Sequence, residues 1–320
     1  MLAVILRRLA QAVPSLAIIS FIGFALLSLA PGDPLTARLE RDALIRMTPE
    51  EKAAARAALG LDDPLPSRYW HWLTDVLQGN LGYSIVSGRS AISEIADRAP
   101  ATMILLVAAI AIAVAVGVPF GIVAARNPNG PLDRVLTGTA VVLVSTPTFI
   151  FGLVLIYVFA VRLGWLPAGG MGEPGMPPTV ASTFQHALLP SLVLGLANAA
   201  PLARFARSGM LEVLASDYVR TARSKGLSGR AIMMRHGIRN ASLPLITLVA
   251  LLIPDLVAGA VITEQVFAWP GMGRLVVSSA QTGDPAVMMA IIVMVSLTVI
   301  TVNLIADILY AIADPRVRVS

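Results

Sequence analysis

The sequence contains no cysteine, few charged residues and few aromatic residues. None of its 320 residues is Cys, 13% are charged and 6% are aromatic. The absence of cysteine excludes a disulfide framework, a thiolate metal site and a cysteine nucleophile. A soluble domain carries about a quarter charged residues, so the low charge argues against a water-soluble enzyme. The apolar composition argues equally against a disordered chain.

Two kinds of ligand-binding motif are also missing. The three histidines, His71, His186 and His236, have no second ligand at the spacing of a metal site. No Gly-x-x-x-x-Gly-Lys-Ser/Thr phosphate loop occurs, so the chain cannot supply nucleotide chemistry itself. We therefore expect this chain to bind no metal and no cofactor of its own.

What the sequence has in abundance is apolar residues, which make up 56% of the chain. A hydrocarbon core about 30 Å thick needs about 20 apolar helical residues to cross it. Runs of that length predict an all-α membrane protein with six transmembrane helices. The fifth is the least regular, because Asp255 and Glu264 interrupt it. The predicted spans are residues 1–30 with a short N-terminal tail, 99–125, 135–161, 186–203, 243–266 and 285–306.

The position of the positive charge predicts the orientation. Residues 204–239 hold eight Lys or Arg and two acids, a balance of +6, whereas the rest of the chain holds 16 and 17, or −1. Such a basic segment is typical of a cytoplasmic loop and argues against a nucleic-acid face. We predict that the loop 204–242 and both termini are cytoplasmic, with lipid as the surrounding partner and no nucleic acid bound.

Residues 31–98 are too polar to span and are predicted to form a small extracytoplasmic subdomain. Thr48 and Glu51 form a capping box around Pro49, which predicts a short helix ending at Gly60. Two interpretations remain open, a docking surface or substrate gate and a simple cap over the helix ends. Trp70 and Trp72 are interpreted as interfacial anchors.

The basic loop carries the most informative pattern. A helix from Asp217 to Lys225, a left-handed Gly226 and a second helix capped by Ser228 are predicted. Such a projecting pair of helices fits a groove on a soluble protein. For Arg204, Arg207, Arg235 and Arg239, contact with lipid phosphates is an equal alternative.

At this point the chain resembles a known family. Gly226 is followed 17 residues later by Leu243-Pro244, as in the signature loop of binding-protein-dependent ABC importer permeases. Arg220-Thr221-Ala222 stands where that pattern has Glu-Ala-Ala, and Ala241 stands where it has Ile. Residues 217–227 are similar to the dipeptide, oligopeptide and nickel branch. Further blocks that resemble this branch are Pro31-Gly32-Asp33-Pro34, Gly79-Asn80-Leu81-Gly82, Arg98–Thr102, Thr263–Leu275 and Ala313–Arg318.

The resemblance implies a type I ABC importer permease bundle over residues 99–320, in a bacterial inner membrane. It implies a second homologous permease, two cytoplasmic ATPases that use ATP and Mg²⁺, and an extracytoplasmic solute-binding protein as partners. Short peptides are the expected solute, with nickel or glutathione as alternatives. The residues expected to couple the chain to the ATPases are Asp217, Tyr218, Arg220, Thr221, Ala222, Arg223, Lys225, Gly226, Leu243 and Pro244.

Asp255 and Glu264 are the candidate residues of the translocation path, because ionisable groups at membrane depth usually face a cavity or a partner. Asp255 is expected to contact an amino group or a metal cation of the solute, or else a neighbouring helix. For Glu264 a structural pair with Arg274 is favoured. A transporter driven by an ion gradient is the competing hypothesis, but it predicts more intramembrane carboxylates and repeated halves. A third hypothesis is an intramembrane protease. The predicted spans lack the Ser-His pair or the paired carboxylates that such a protease would need.

Overall fold

A computed structural model describes residues 2–29, 47–58, 60–232 and 238–313. Most of the described residues are helical, and an isolated bridge joins Tyr83 to Ser90. The helices are α1 Leu2–Leu29, α2 Pro49–Ala58, α3 Leu65–Leu77, α4 Ala91–Ala124, α5 Pro131–Ser145, α6 Thr148–Leu155, α7 Val180–Ala215, α8 Asp217–Ser224, α9 Gly229–Ile232, α10 Ile238–Val266, α11 Met272–Thr282 and α12 Pro285–Ala313, and a π-helical segment, Ile156–Arg162, continues α6.

Within these residues, four helices are long and apolar enough to cross a membrane, or five if one bent pair counts as a single span. The four lie in α1, α4, α7 and α12, and the bent pair is α5 with α6 and its π-helical continuation. The predicted span 243–266 falls on α10, where the side chains of residues 238–247 lie outside the described residues. The all-helical membrane fold is therefore confirmed, and the count of six spans stays a prediction.

The predicted span 135–161 is not one straight helix. The chain bends by 104° between α5 and α6. Pro147 causes the break, since proline lacks an N–H and forces the preceding residue out of helical geometry. Thr146 accordingly is extended, with φ −90° and ψ 122°.

The predicted span 186–203 lies within a longer helix. Helix α7 has 36 residues and begins at a capping box in which Thr179 and Ser182 bond each other's backbone N–H. It continues through Arg204 and Arg207 to Ala215, so the first part of the predicted loop 204–242 is helical. Arg207, which lies on this continuation, is paired with Asp133.

The chain divides into two compact units, and the larger comprises residues 1–5, 101–274 and 301–320. Glycines let its helices approach closely: a Cβ on Gly121 would overlap the carbonyl of Ala203, and a Cβ on Gly195 would overlap Ile112. Lipid is as apolar as a leucine side chain, so close backbone approach of this kind is what holds helices together in a membrane. The core beside these contacts contains Leu105, Leu194, Leu256 and Trp269.

The second unit comprises residues 6–100 and 275–300. The Tyr69 ring packs edge-on against Phe21, and its hydroxyl lies 2.8 Å from Ser20 Oγ. Trp72 packs beside Phe24, so it is held within the chain, whereas Trp70 is exposed. The predicted capping box is confirmed by bonds in both directions between Thr48 and Glu51.

A short hairpin in this second unit is held by polar contacts. The Ser84 hydroxyl donates to Asp284 at 2.6 Å, and the Ile85 N–H donates to the same oxygen at 3.2 Å. Arg89 bonds Asp97 at 2.7 Å, and this hydrogen bond raises the pKa of the exposed Arg89 guanidinium above its ordinary value. The bonds from Ser84 and Ile85 tie the hairpin to Asp284, the residue that precedes α12.

Candidate functional site

Helix α8 and the turn after it have the local structure that the sequence predicts. The helix starts after the extended residue Ser216 and is closed by Gly226, which has a φ of +80°. The Leu227 N–H reaches back to the carbonyl of Ala222 at 3.2 Å, as in a Schellman motif. The Ser228 hydroxyl accepts the N–H of Ala231 at 3.3 Å and so caps α9. The predicted helix, glycine turn and second helix are confirmed.

One face of α8 is buried against the helices around it. Val219, Ala222 and Ile232 form a small buried cluster. Leu227 and two residues from the last turn of α7, Val213 and Leu214, pack against this cluster. The contacts fix α8 to the end of α7, so a force on α8 acts directly on that 36-residue helix.

The other face of α8 projects outward. Tyr218 is 44% exposed, and Arg220 lies 3.7 Å from Asp217 with both side chains largely in solvent. Thr221 and Lys225 are exposed as well. This face offers a phenol ring, an ion pair and further basic and hydroxyl groups to a partner surface.

The predicted coupling residues therefore divide into two sets. Ala222 belongs to the buried cluster, so it seats the helix and does not face outward with Tyr218 and Lys225. The side chains of Arg223, Leu243 and Pro244 lie outside the described residues, as do those of Arg235 and Arg239.

Asp255 lies on the exposed side of α10. Leu252 and Leu256 on either side of it are buried, with Leu256 fully inaccessible. Leu251 and Ile262 share the exposed side with Asp255. No hydrogen bond or ion pair joins the Asp255 carboxylate to another residue in the part of the chain that the structure describes.

Glu264, in contrast, is fully buried and bonded. The Thr102 hydroxyl donates to its Oε1 at 2.6 Å, and the N–H of Arg274 donates to its Oε2 at 3.2 Å. The expected partner Arg274 is thus present, but through its backbone. Its guanidinium donates instead to the carbonyl of Ala268 at 2.9 Å.

The segment after Glu264 is folded around this carboxylate. The Trp269 indole N–H donates to the carbonyl of Ala101 at 2.9 Å, and the N–H of Met272 donates to Thr102 Oγ1 at 2.8 Å. A Cβ on Gly271 would overlap the Glu264 carboxylate, so the close approach requires glycine there. Glu264 therefore organises the turn between α10 and α11 from inside the fold.

Comparison with known proteins identifies the family. The family model described as binding-protein-dependent transport system inner membrane component matches residues 117–319. The model of the N-terminal region of such membrane components matches residues 1–106. The chain belongs to this family. It is therefore an inner-membrane permease, and the matched ranges take in both α8 and the segment around Glu264.

Full-length relatives agree with this assignment. The permease is 41% identical to the oligopeptide transport system permease protein AppB of Bacillus subtilis, over 99% of this chain and 100% of that one. It is 42% identical to the glutathione transport system permease protein GsiC of Pectobacterium atrosepticum, over 99% of both. Among solved structures, a chain of the MetNI methionine ABC transporter in inward-facing conformations has a similar fold. The TM-score is 0.58 with 17% identity, over 70% of the permease and 97% of that chain.

Family membership settles the class of protein. Permease subunits of ABC importers are not enzymes themselves, and they work with other subunits such as ATPases and a binding protein. The family model describes a binding-protein-dependent transport system. This class replaces the competing hypothesis of a transporter driven by an ion gradient.

Sequence reasoning missed two polar contacts that organise the permease. The sequence leaves lipid contact as an equal alternative for Arg207, whereas the structure shows a bidentate pair with Asp133. Asp284, which caps α12 by accepting the N–H of Val287, also binds Ser84. The Asp-Pro start of α12 is a cap signal that the sequence offers, whereas nothing local identifies the distant partners.

Proposed function

We propose that the permease forms the translocation path of an ATP-driven importer for short peptides. The observation that carries the proposal is α8, a short polar helix that projects from the membrane-spanning α7 and is fixed to it by a buried apolar cluster. A partner that binds the exposed face of α8 can move α7 directly. The oligopeptide and glutathione permeases among the relatives favour a peptide as the solute.

The proposed assembly contains more than this chain. A second homologous permease completes the path, and two cytoplasmic ATPases that use ATP and Mg²⁺ drive it. An extracytoplasmic binding protein delivers the solute. In this arrangement the permease has six spans, both termini in the cytoplasm and residues 31–98 outside. The basic segment 204–239 supports this orientation, since positive residues accumulate on the cytoplasmic side.

In the proposed mechanism the exposed residues of α8, with Tyr218 and Arg220 among them, occupy a groove on an ATPase. Closure of the ATPase pair on ATP displaces α8, and rigid-body rocking of the spans opens the path to the outside. Gly226 is needed because the chain turns there at a φ of +80°, which a side chain with a Cβ adopts at a cost of about 1–2 kcal/mol.

Replacement of Gly226 tests this coupling. Gly226→Val strains the turn and tilts α8, so stimulation of ATP hydrolysis by the loaded binding protein should fall severalfold in the reconstituted transporter. Gly229→Val is the matched control, because Gly229 is also exposed with open space around it but has no positive φ. Equal stimulation in the two variants would contradict the proposed role of the turn.

Asp255 is proposed as a residue of the translocation path. A carboxylate at the exposed side of a membrane helix is too costly to face lipid, so it faces a water-filled path or a second subunit. A carboxylate in a peptide path is suited to the α-amino group of the solute.

Asp255→Asn distinguishes these possibilities. A hydrogen bond to a charged group is worth about 1.5–3 kcal/mol, so the variant should import peptides with a free amino terminus about tenfold more slowly or worse. Import of acetylated peptides that the same binding protein accepts should be unchanged. Loss of the second permease from the purified complex would instead place Asp255 at the subunit contact.

Glutathione is the alternative solute, and as a tripeptide it belongs to the same chemical class. The relatives that carry its name are as similar to the permease as the oligopeptide permease is. Nickel remains an alternative with no structural support of this kind. Calorimetric titration of the cognate binding protein with a dipeptide, a pentapeptide, glutathione and Ni²⁺ would decide among them.

A further inference from the structure

The ion pair between α5 and α7 has the geometry of a rigid joint. Arg207 Nε donates to Asp133 Oδ1 at 2.6 Å, and its Nη2 donates to Oδ2 at 2.7 Å. The N–H of Asn129 donates to the same Oδ2 at 2.8 Å. Asp133 is 4% exposed. Two parallel bonds from a planar guanidinium fix orientation as well as distance.

The joint lies close to the part of α7 that carries α8. Arg207 stands about two turns before Ala215, where α7 ends. Between them, Met210 is fully buried and packs with Ala125 at the C-terminal end of α4. A displacement of α8 reaches this region first, because α8 rests on the last turn of α7.

Little of helix α5 is buried. Of its residues, only Asp133 and Ala140 are buried, and large apolar side chains such as Val135 and Val142 are exposed. Exposed apolar faces provide no force toward a neighbouring helix when the surroundings are lipid. The pair with Arg207 is thus the strongest directional contact that α5 makes with α7.

We propose that Asp133 and Arg207 are a positioning pair that carries the movement of α8 and α7 into α5 and its bent continuation in α6. This proposal depends on the proposed function in one respect, namely that closure of the ATPase pair is what moves α8. The pair makes α5 follow α7 as one body. Without it, α7 moves and α5 does not follow, so ATP hydrolysis loses its connection to the path.

The first test measures coupling in the assembled transporter. A single substitution leaves a buried charge unpaired, whereas Asp133→Asn with Arg207→Gln removes both charges and is compatible with folding. The double variant should assemble and keep basal ATP hydrolysis but lose about fivefold or more of the stimulation by loaded binding protein. Arg134→Gln is the control, because the exposed Arg134 side chain bonds the carbonyl of Asn129 and no carboxylate among the described residues. Stimulation equal to wild type in the double variant, or failure of that variant to assemble, would overturn the proposal.

The second test does not depend on transport. The chain contains no cysteine, so cysteines introduced at the exposed Thr137 of α5 and Ser224 of α8 are unique sites for spin labels. In the assembled complex, the distance distribution between the labels should stay narrow through the nucleotide cycle in the wild type and broaden in the double variant. An unchanged distribution in the double variant would overturn the proposal. If the wild-type distances stay narrow but binding protein loaded with peptide does not stimulate ATP hydrolysis, the joint is intact and the proposed import of peptides is refuted.

Discussion

Removal of the Glu264 carboxylate tests the idea that this residue organises the turn between α10 and α11. Glu264→Ala leaves the Thr102 hydroxyl and the Arg274 N–H without their acceptor in a fully buried site. Each orphaned donor costs about 1–3 kcal/mol, and relief from burying the carboxylate returns part of that. We expect a net loss of about 2–4 kcal/mol.

Glu264→Gln should cost much less. Its amide oxygen can accept from the Arg274 N–H, and its NH₂ can donate to Thr102 Oγ1, whose hydroxyl has a second lone pair beside the one used by Met272. Only the donor role of Thr102 is lost, at about 1 kcal/mol. The amide variant should therefore lie between the alanine variant and the wild type.

Thermal unfolding of the purified permease in nanodiscs, followed by tryptophan fluorescence, measures both variants. About 2–4 °C is expected per kcal/mol, so Glu264→Ala should lower the Tm by about 4–16 °C and Glu264→Gln by about 2–4 °C. Trp269 reports on the site directly, because its backbone N–H bonds the carbonyl of Glu264 at 2.9 Å. Gln265→Ala, an exposed neighbour, is the control. A Tm of Glu264→Ala within about 1 °C of that control would refute the reasoning.

Two smaller predictions concern the second unit. Asp284→Ala frees the hairpin at Ser84 and removes the cap of α12. Limited trypsin digestion at the exposed Arg89 should therefore accelerate severalfold. A digestion rate equal to that of the wild type would contradict the tie between the hairpin and Asp284. Thr48→Ala breaks the capping box of α2 at a local cost of about 1 kcal/mol. Amide exchange in the first turn of α2 should become about fivefold faster, while the Tm stays within about 2 °C of the wild type. A larger change in Tm would contradict a purely local effect of the cap.

Features set by neighbours in the chain could be predicted from the sequence. The capping box at Thr48 and Glu51 and the left-handed Gly226 depend on three or four consecutive residues, and both have the predicted geometry. Apolar runs predicted the long helices for the same reason. The bend at Pro147 was within reach too, but an uncharged run of the right length outweighed one proline.

Contacts between distant residues could not be predicted in this way. Thr102 and Glu264 are 162 residues apart, and Asp133 and Arg207 are 74 residues apart. One chain gives no indication of which distant polar residues meet. Arg207 shows the consequence, because its position near a span end leaves lipid contact as an equal alternative and does not indicate Asp133 as its partner.

Three carboxylates of the larger unit, those of Asp133, Asp255 and Glu264, differ in their burial and in their hydrogen bonds. Asp133 and Glu264 are buried, and each accepts hydrogen bonds from more than one donor, so the fold itself accounts for their presence. Asp255 is exposed on α10, the predicted fifth span, and no residue in the described part of the chain bonds it. The described residues give no compensation for placing that charge at its predicted membrane depth. The compensation has to come from water, solute or a second subunit, which makes Asp255 the carboxylate whose role can be defined only in the assembled transporter.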